Sequence, residues 1–317
     1  MPEYARSSTA LPTAPVRILI ATTPRDLRLC RICLASVRRF HPDADIALLP
    51  GAPLPDAFLR EAERHFGASL YPVAPGDYGW GFVKLEPLFD PPGEPFLVLD
   101  ADTVLTGPLL GELSARFASQ NRPDFLVDDE IQPESEMRRL YYNWDRVRAV
   151  DPSAQRPSFV FNSGQWAGHG GVLTRADFDP WVEWTFPRRL RHPELFMPGD
   201  QGILNYVLNQ SAASGRFAVE PMPLMRWPGH GMEGFDAASV AAGTAPARVV
   251  HWAGLKRLRF ANMPGADLLG HFERVYYASF YCGHFLRPFR AFRTFIDELL
   301  YRFWTRLRLF LAKRKRP

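Results

Sequence analysis

Cysteine is scarce in this sequence. The chain has 317 residues and three Cys, an odd number that is too small for a disulfide framework. Cys30 and Cys33 form a single Cys-x-x-Cys pair. Its spacing is typical of two small side chains buried on one helix face, and we favour that interpretation over a redox or metal site. The low cysteine content thus argues against a small, disulfide-stapled secreted scaffold.

Long apolar runs are also missing. The first apolar run covers residues 16–21, which is too short for a signal peptide and has no cleavage pattern after it. No stretch reaches the roughly 20 apolar residues that a membrane-spanning helix needs. We therefore expect a cytoplasmic protein.

What the chain does contain is an alternation of strand and helix patterns. Hydrophobic residues make up 46% and charged residues 23% of the sequence, which predicts a well-packed core. Uninterrupted apolar runs alternate with segments of helical spacing. This order predicts an α/β fold with a mostly parallel central sheet and helices on both faces. Strands are predicted over 16–23, 45–51, 95–102 and 124–130, within 158–174 around a Gly-rich turn, and from 247 to His251. Helices are predicted over 25–40, 56–67, 79–90 and 177–190, and after a loop within 197–210.

Two acids end one of these strands. In "FLVLDADTVL" (96–105) the apolar run stops at Asp100 and Asp102. Ligands of parallel sheets bind beyond the carboxyl ends of the strands, and paired carboxylates suit a hard divalent cation. His251 also follows an apolar run and is the candidate third ligand; such a set suits Mn²⁺ better than Ca²⁺. An alternative is phosphoryl transfer, with Asp100 as nucleophile and Asp102 as acid/base.

Several motifs together resemble one enzyme family. They occur in the order "VKLEPLF" (83–89), "FLVLDADTVL" (96–105), "FNSGQWAG" (161–168), "GDQGILNYVL" (199–208) and "VVHWAG" (249–254). This set resembles the retaining family-8 nucleotide-sugar glycosyltransferases, of the glycogenin and bacterial lipo-oligosaccharide galactosyltransferase type. The resemblance implies a GT-A fold, which is Rossmann-like, a UDP-sugar donor bound through Mn²⁺ (or Mg²⁺), and transfer with retention of configuration.

The resemblance also implies roles for individual residues. Asp100, Asp102 and His251 look like the metal ligands. Asp200 and Gln201 resemble the pair near the anomeric carbon, where the oxocarbenium-like transition state needs negative charge. Lys84 resembles a lysine that contacts the donor sugar or phosphate and is grouped with the catalytic residues. The remaining donor-binding candidates are Thr22, Thr23, Ala101, Asn162, Ser163, Gly164, Gly254, Lys256 and Arg257.

The sequence departs from the family pattern at two places. After Gly254 the family often has a Lys-Pro-Trp segment, whereas this chain has "LKRLRF". This leaves open whether Lys256 or Arg257 contacts the diphosphate. After "FNSG" the usual apolar strand is replaced by "QWAGHGG", in which His169 is interpreted as a loop residue.

The C-terminal region is basic and aromatic. Residues 270–317 hold eleven Lys and Arg against three Asp and Glu, whereas the remainder holds 27 against 31. Apolar residues recur every three or four positions from 285 to 310, which predicts a basic amphipathic helix. Such a helix suits an anionic membrane surface, with packing on the main domain as the alternative. No nucleic-acid-binding motif accompanies the charge.

We therefore expect a flexible arm (1–15), a GT-A domain (16–268) and a helical tail (269–317). The predicted function is hexose transfer from a UDP-sugar to a glycan or lipid-linked acceptor at the inner face of the cytoplasmic membrane, with residues 285–316 on the membrane. The competing hypotheses are a phosphatase of the haloacid-dehalogenase type and a non-catalytic protein that binds nucleotide sugars.

Overall fold

A computed structural model describes residues 15–129, 133–229, 232–254 and 260–314. The strands in this part of the chain are β1 (Arg17–Thr22), β2 (Ile46–Pro50), β3 (Ala68–Leu70), β4 (Phe96–Asp100), β5 (Thr103–Leu105), β6 (Phe125–Asp128), β7 (Gln165–Gly168), β8 (Val182–Glu183), β9 (Arg189–Leu190), β10 (Val219–Met222), β11 (Met225–Arg226) and β12 (Val249–His251). The α-helices are α1 (Leu27–Phe40), α2 (Asp56–Phe66), α3 (Leu110–Phe117), α4 (Glu134–Leu140), α5 (Trp144–Val150), α6 (Arg175–Phe178), α7 (Asp200–Ala213), α8 (Ala237–Ala242), α9 (Ala266–Ala278) and α10 (Gly283–Arg314). Two 3-10 helices cover Phe82–Phe89 and Phe260–Asn262.

The centre of the fold is a seven-stranded sheet with the order β10-β6-β7-β4-β1-β2-β3. Neighbouring strands are parallel except at β7, which runs antiparallel to β4 and to β6. One hydrophobic core forms between the sheet and α1, α2, α8 and α9, and a second forms on the other face with α7 and the first 3-10 helix. The predicted α/β class, with a mainly parallel sheet and helices on both faces, is confirmed.

The strand before the acidic pair lies in the middle of this sheet. Phe96 to Leu99 of β4 are buried, and the strand pairs with β1 on one side and β7 on the other. The register places Ala21 of β1 opposite Asp100. The two strands therefore end together, which brings the residue after Ala21 to the same edge as the acids.

A second, three-stranded sheet carries the predicted histidine. Its order is β11-β12-β5, and β12 runs antiparallel to β5. β5 starts directly after the acidic turn that ends β4, and its register pairs His251 with Thr103. The histidine thus reaches the acids through this small sheet and not through the central one.

Two local predictions are wrong. Residues 177–190 were expected to be helical, but the four-residue α6 is followed by the β8–β9 hairpin; Pro180 and Pro187 interrupt the helical pattern. Strands were predicted within 158–174, and "QWAG" forms the buried strand β7 there; the interpretation of "QWAGHGG" as a replacement of the family's usual strand is therefore wrong. Small residues suit this position, because a side chain at Gly168 would lie 2.5 Å from the ring of Phe125.

The Cys-x-x-Cys pair is part of the core. Both Cys30 and Cys33 are buried on α1 and are not disulfide-bonded. Burial raises the pKa of Cys30 to about 12, so its thiol is unreactive at neutral pH. The interpretation of these residues as small buried side chains is confirmed.

The tail helix packs against the body of the protein and also exposes an aromatic face. α9 is buried through Leu268, Phe272 and Tyr276 in the same core as α1, so a continuous helix crosses the proposed boundary between 268 and 269. α10 then contacts α9 and α2, while Phe285 and Phe289 face outward. None of the described helices combines the length and hydropathy needed to cross a membrane. The predicted arm lies almost wholly outside the described residues.

Candidate active site

A cavity of about 380 Å³ opens at the edge of the sheet where β1 and β4 end. It collects most of the residues that the sequence predicts for a site. The predicted residues that line it are Thr22, Thr23, Lys84, Asp100, Ala101, Asp102, Asn162, Ser163, Asp200, Gln201, His251 and Gly254. Lys256 and Arg257 lie outside the described residues, so the choice between them stays open.

The three predicted metal ligands meet in this cavity. One ligand atom from each of Asp100, Asp102 and His251 lies within 4.8 Å of the other two. His251 Nε2 is 3.3 Å from Asp102 Oδ1 and 3.8 Å from Asp100 Oδ2. Ligands of one small divalent cation, each about 2.1 Å from it, are separated by comparable distances. The geometry therefore fits a shared cation.

The environment of His251 also indicates a cation site. His251 is 1% exposed, and neither ring nitrogen makes a hydrogen bond to any described residue. A buried polar atom without a partner is costly. A cation bound at Nε2 would satisfy that nitrogen, and the ring is held by the nearly parallel Trp227 ring, 6.1 Å away.

Gly164 leaves room for this arrangement. Its backbone O accepts a hydrogen bond of 2.7 Å from the Asp100 backbone N. A methyl group added at Gly164 would overlap the His251 ring and lie 2.8 Å from Asp100 Oδ2. Only glycine therefore lets the chain just before β7 pass so close to His251 and Asp100.

Lys84 links the acidic pair to a third carboxylate. Its Nζ lies 3.1 Å from Asp100 Oδ1 and 3.0 Å from Asp200 Oδ2, and it donates to the Ser163 backbone O at 3.0 Å. The side chain is almost completely buried. Burial alone would lower the pKa of Lys84, but the charges of Asp100 and Asp200 outweigh it and raise that pKa. The lysine is thus a permanent cation.

Asp200 is the first residue of α7, next to the positive end of the helix dipole. Burial raises the pKa of its carboxyl to about 6, against the opposing effect of Lys84. A methyl group at Gly81, which has φ 83°, would overlap the Asp200 carboxylate. Gly81 thus allows the turn before Lys84 to pass directly over Asp200.

The described side chains of this cluster carry more negative than positive charge. Lys84 contributes one positive charge, whereas Asp100, Asp102 and Asp200 contribute three negative ones. Carboxylates that are largely removed from water are costly unless their charge is compensated, so a divalent cation suits this cluster in ligand type.

Sequence reasoning missed the residues that hold the "FNSG" segment in place. Residues 158–163 form no strand; their backbone is instead bonded by amides that recur every fourth residue along α7. Asn209 and Asn205 bond the backbone of Phe159 and Phe161. Gln201 accepts from the Ser163 backbone N at 3.3 Å and donates to the Leu140 backbone O at 2.8 Å. The spacing of amides on a buried helix was the available signal.

The apolar mouth of the cavity was also missed. Trp80, Leu140, Met197 and Pro198 line it. Trp80 is 71% exposed, and its backbone passes close to Gly199, the residue before α7, where an added methyl group would lie 2.6 Å from the Trp80 backbone O. Nothing in the sequence around position 80 signals this, because the contact joins segments about 120 residues apart.

Comparison with known proteins supports the same fold. No protein-family model matches this sequence, and no curated protein matches it. Among solved structures, the galactosyltransferase LgtC, in complex with donor and acceptor sugar analogs, is similar with a TM-score of 0.54 and 15% identity over 83% of this chain and 96% of LgtC. The WbbM bifunctional glycosyltransferase is similar with a TM-score of 0.50 and 12% identity over 83% of this chain. This chain spans half the length of WbbM.

At these identities the similarity concerns the fold. It confirms the predicted GT-A fold and, at that level, the resemblance to family-8-like glycosyltransferases, whose acidic Asp-x-Asp motif Asp100 and Asp102 resemble.

Proposed function

We propose that this protein is a metal-dependent glycosyltransferase that moves a hexose from a UDP-sugar to a glycan or lipid-linked acceptor with retention of configuration. One observation carries the proposal: Asp100, Asp102 and His251 converge in a cavity that also holds a buried lysine and a third carboxylate. The shared fold with glycosyltransferases supports it.

The residues present fit Mn²⁺ or Mg²⁺. Two carboxylates and one imidazole supply suitable ligands for a divalent ion. When bound, the cation would neutralise negative charge on the diphosphate of the donor as it leaves. Thr22, Thr23 and Gly254 line the part of the cavity assigned to the nucleotide, with Lys256 or Arg257 as the predicted base at the diphosphate.

Lys84 and Asp200 have complementary roles in this proposal. Lys84 can attract the donor phosphate electrostatically, because its ammonium group lines the cavity beside Asp100. Asp200 places a carboxylate where positive charge develops on the sugar ring. Gln201 has both ends of its amide bonded to backbone, so we assign it to positioning of Ser163.

The tail supports an acceptor at a membrane surface. Arg25 stacks on the ring of Tyr301 in α10, with its Cζ 3.6 Å from the ring centroid. Arg25 lies between Thr23 and Asp26, which both line the cavity, so the tail passes beside the donor site. Its exposed aromatic residues and positive charge suit anionic lipid. We propose peripheral attachment to the inner face of the cytoplasmic membrane.

A donor screen tests the activity. The protein is incubated with several UDP-sugars, with and without Mn²⁺, and UDP release is measured. We expect release from at least one donor that requires metal and is lost in Asp102→Asn. Asp129→Asn is the matched control, because this exposed acid follows β6 of the same sheet and lies outside the metal group. NMR of the product's anomeric proton then reports retention or inversion.

Other outcomes would contradict the proposal. Phosphate release from p-nitrophenyl phosphate without UDP release would support the phosphatase hypothesis, with Asp100 as nucleophile. Binding of UDP-sugars without turnover under any metal condition would indicate a non-catalytic binding protein.

A further inference from the structure

A second cavity, of about 590 Å³, lies between α9 and the first turns of α10, beside the start of α1. It is separate from the donor cavity and shares no lining residue with it. Its titratable lining residues are Arg28, Arg274, His284 and Arg287, one acid, Glu273, and Tyr277, and the rest of the lining is small or apolar. We call this cavity the tail groove.

The single acid of the tail groove is already neutralised. Glu273 is buried, and its carboxylate accepts from Arg28 Nε at 2.7 Å and from Arg287 Nε at 2.9 Å. Arg274 makes no ion pair or hydrogen bond within the described part of the chain. The groove is therefore lined by three guanidinium groups, of which two contact its one carboxylate, and it keeps a surplus of positive charge and of N–H donors.

An exposed aromatic stripe flanks the groove. Phe285, Phe289 and Phe292 of α10 are 69%, 66% and 65% exposed. They follow the groove-lining positions 284, 288 and 291 by one residue each, which on an α-helix is a rotation of about 100°. One side of α10 thus offers cations while the adjacent side offers large apolar rings.

We propose that the tail groove binds the phosphate headgroup of an anionic phospholipid, while the aromatic stripe enters the acyl region beside it. Guanidinium groups bind phosphate oxygens in a directed, charge-assisted way. Phe side chains on a basic helix insert at the boundary between headgroups and acyl chains. A soluble phosphate would use the first feature alone, whereas a phospholipid uses both. The inference builds on the membrane attachment proposed above and adds a discrete site to it.

Vesicle binding of the full-length protein tests this site. Sedimentation with phosphatidylcholine vesicles containing phosphatidylglycerol is compared for the wild type, Arg274→Gln and Arg293→Gln. Arg293 is the matched control because it lies on α10, is 76% exposed on its side chain and is outside the groove. Both changes remove one positive charge, and circular dichroism checks that both variants are folded.

Diffuse attraction and a discrete site predict different results. Each basic residue near an anionic surface contributes about 1 kcal/mol, so Arg293→Gln should weaken binding by about fivefold at most. Because Arg274→Gln also loses a charge-assisted contact to phosphate, its affinity for the vesicles should be at least threefold lower than that of Arg293→Gln. A smaller ratio would overturn the groove assignment while leaving membrane attachment intact.

Two further outcomes separate the remaining possibilities. No binding of the wild type to these vesicles would overturn both the groove and the membrane attachment, but not the sugar transfer, which the donor screen measures independently. Binding of inorganic phosphate that depends on Arg274, without vesicle binding, would mean that the groove takes a soluble phosphate and would overturn the lipid assignment.

Discussion

The donor cavity and the tail groove use the same charged groups in opposite proportions. Among the described side chains of the donor cavity, Lys84 faces three carboxylates. At the tail, Glu273 faces Arg28 and Arg287, and Glu61 faces Arg31 and Arg290. In the described part of the chain, carboxylates therefore outnumber cations in the first cluster and guanidinium groups outnumber carboxylates in the second. The ratio of cationic to anionic side chains, more than the presence of ion pairs, decides which ligand each region can accept.

The two regions also differ in their exposure to solvent. Lys84, Asp200 and His251 are nearly inaccessible, so their charges interact strongly and leave little freedom for substitution. Arg287 and Arg290 are partly exposed, and their interactions are weakened by water. We expect the effects of substitutions to fall off in the same order.

Substitution of Lys84 should have the largest effect. Lys84→Met removes the buried ammonium group between Asp100 and Asp200 and should reduce metal-dependent UDP release about 10²- to 10³-fold, as expected for loss of one electrostatic contact to developing charge. Mn²⁺ affinity should be unchanged or higher, because the lysine is no ligand and the cluster becomes more negative. Turnover within tenfold of the wild type would contradict this role for Lys84.

Gly164→Ala tests the close approach behind the metal ligands. The added methyl group overlaps His251 and crowds Asp100, and overpacking costs about 1–3 kcal/mol. We expect Mn²⁺ affinity, measured by electron paramagnetic resonance, to fall by about tenfold. Gly111→Ala is the control, since a methyl group there meets nothing within 4 Å. Equal Mn²⁺ affinity in both variants would show that His251 and Asp100 do not share a cation.

Trp80→Ala tests the mouth of the donor cavity. A sugar ring stacked on this exposed indole would lose an aromatic contact of about 1 kcal/mol, so the KM for the acceptor should rise about fivefold. Slow donor hydrolysis without acceptor should be unchanged, because Trp80 lies at the rim. Trp304→Ala, an exposed tryptophan on the tail, is the control. A matching loss of hydrolysis would place Trp80 in donor binding instead.

Glu61→Gln should have the smallest effect and should depend on pH. Burial opposes ionisation of Glu61, but hydrogen bonds from Arg290 and Tyr276 outweigh it and lower its pKa below the ordinary value of 4.5. The ionised carboxylate therefore stabilises the fold above pH 4.5, and this contribution is lost as pH falls through the lowered pKa. The variant should have a Tm a few degrees lower at pH 7, from a loss of about 1 kcal/mol. A difference in Tm that does not shrink towards pH 3 would contradict this account.

Much of the donor site could be predicted because its residues follow recognisable local patterns. The acids end an apolar strand, His251 ends another, and Asp200 starts a helix. The hairpin at 182–190 was missed, and the bounds of β7 within 158–174 were not predicted, for a different reason. Pro187 and the small residues of "QWAG" have weak local preferences, and packing against distant side chains such as Phe125 decides their structure.

By itself, the sequence determined the strand-and-helix alternation, the acidic turn after β4 and the amphipathic tail, because each depends on neighbours a few positions away. Tertiary structure decided that His251 joins the acids through the antiparallel pairing of β12 with β5, and that Lys84 lies between Asp100 and Asp200. It also decided that α10 packs through Arg290 and turns Phe289 outward. These outcomes depend on the register and packing of segments 100 or more residues apart, which local spacing does not encode.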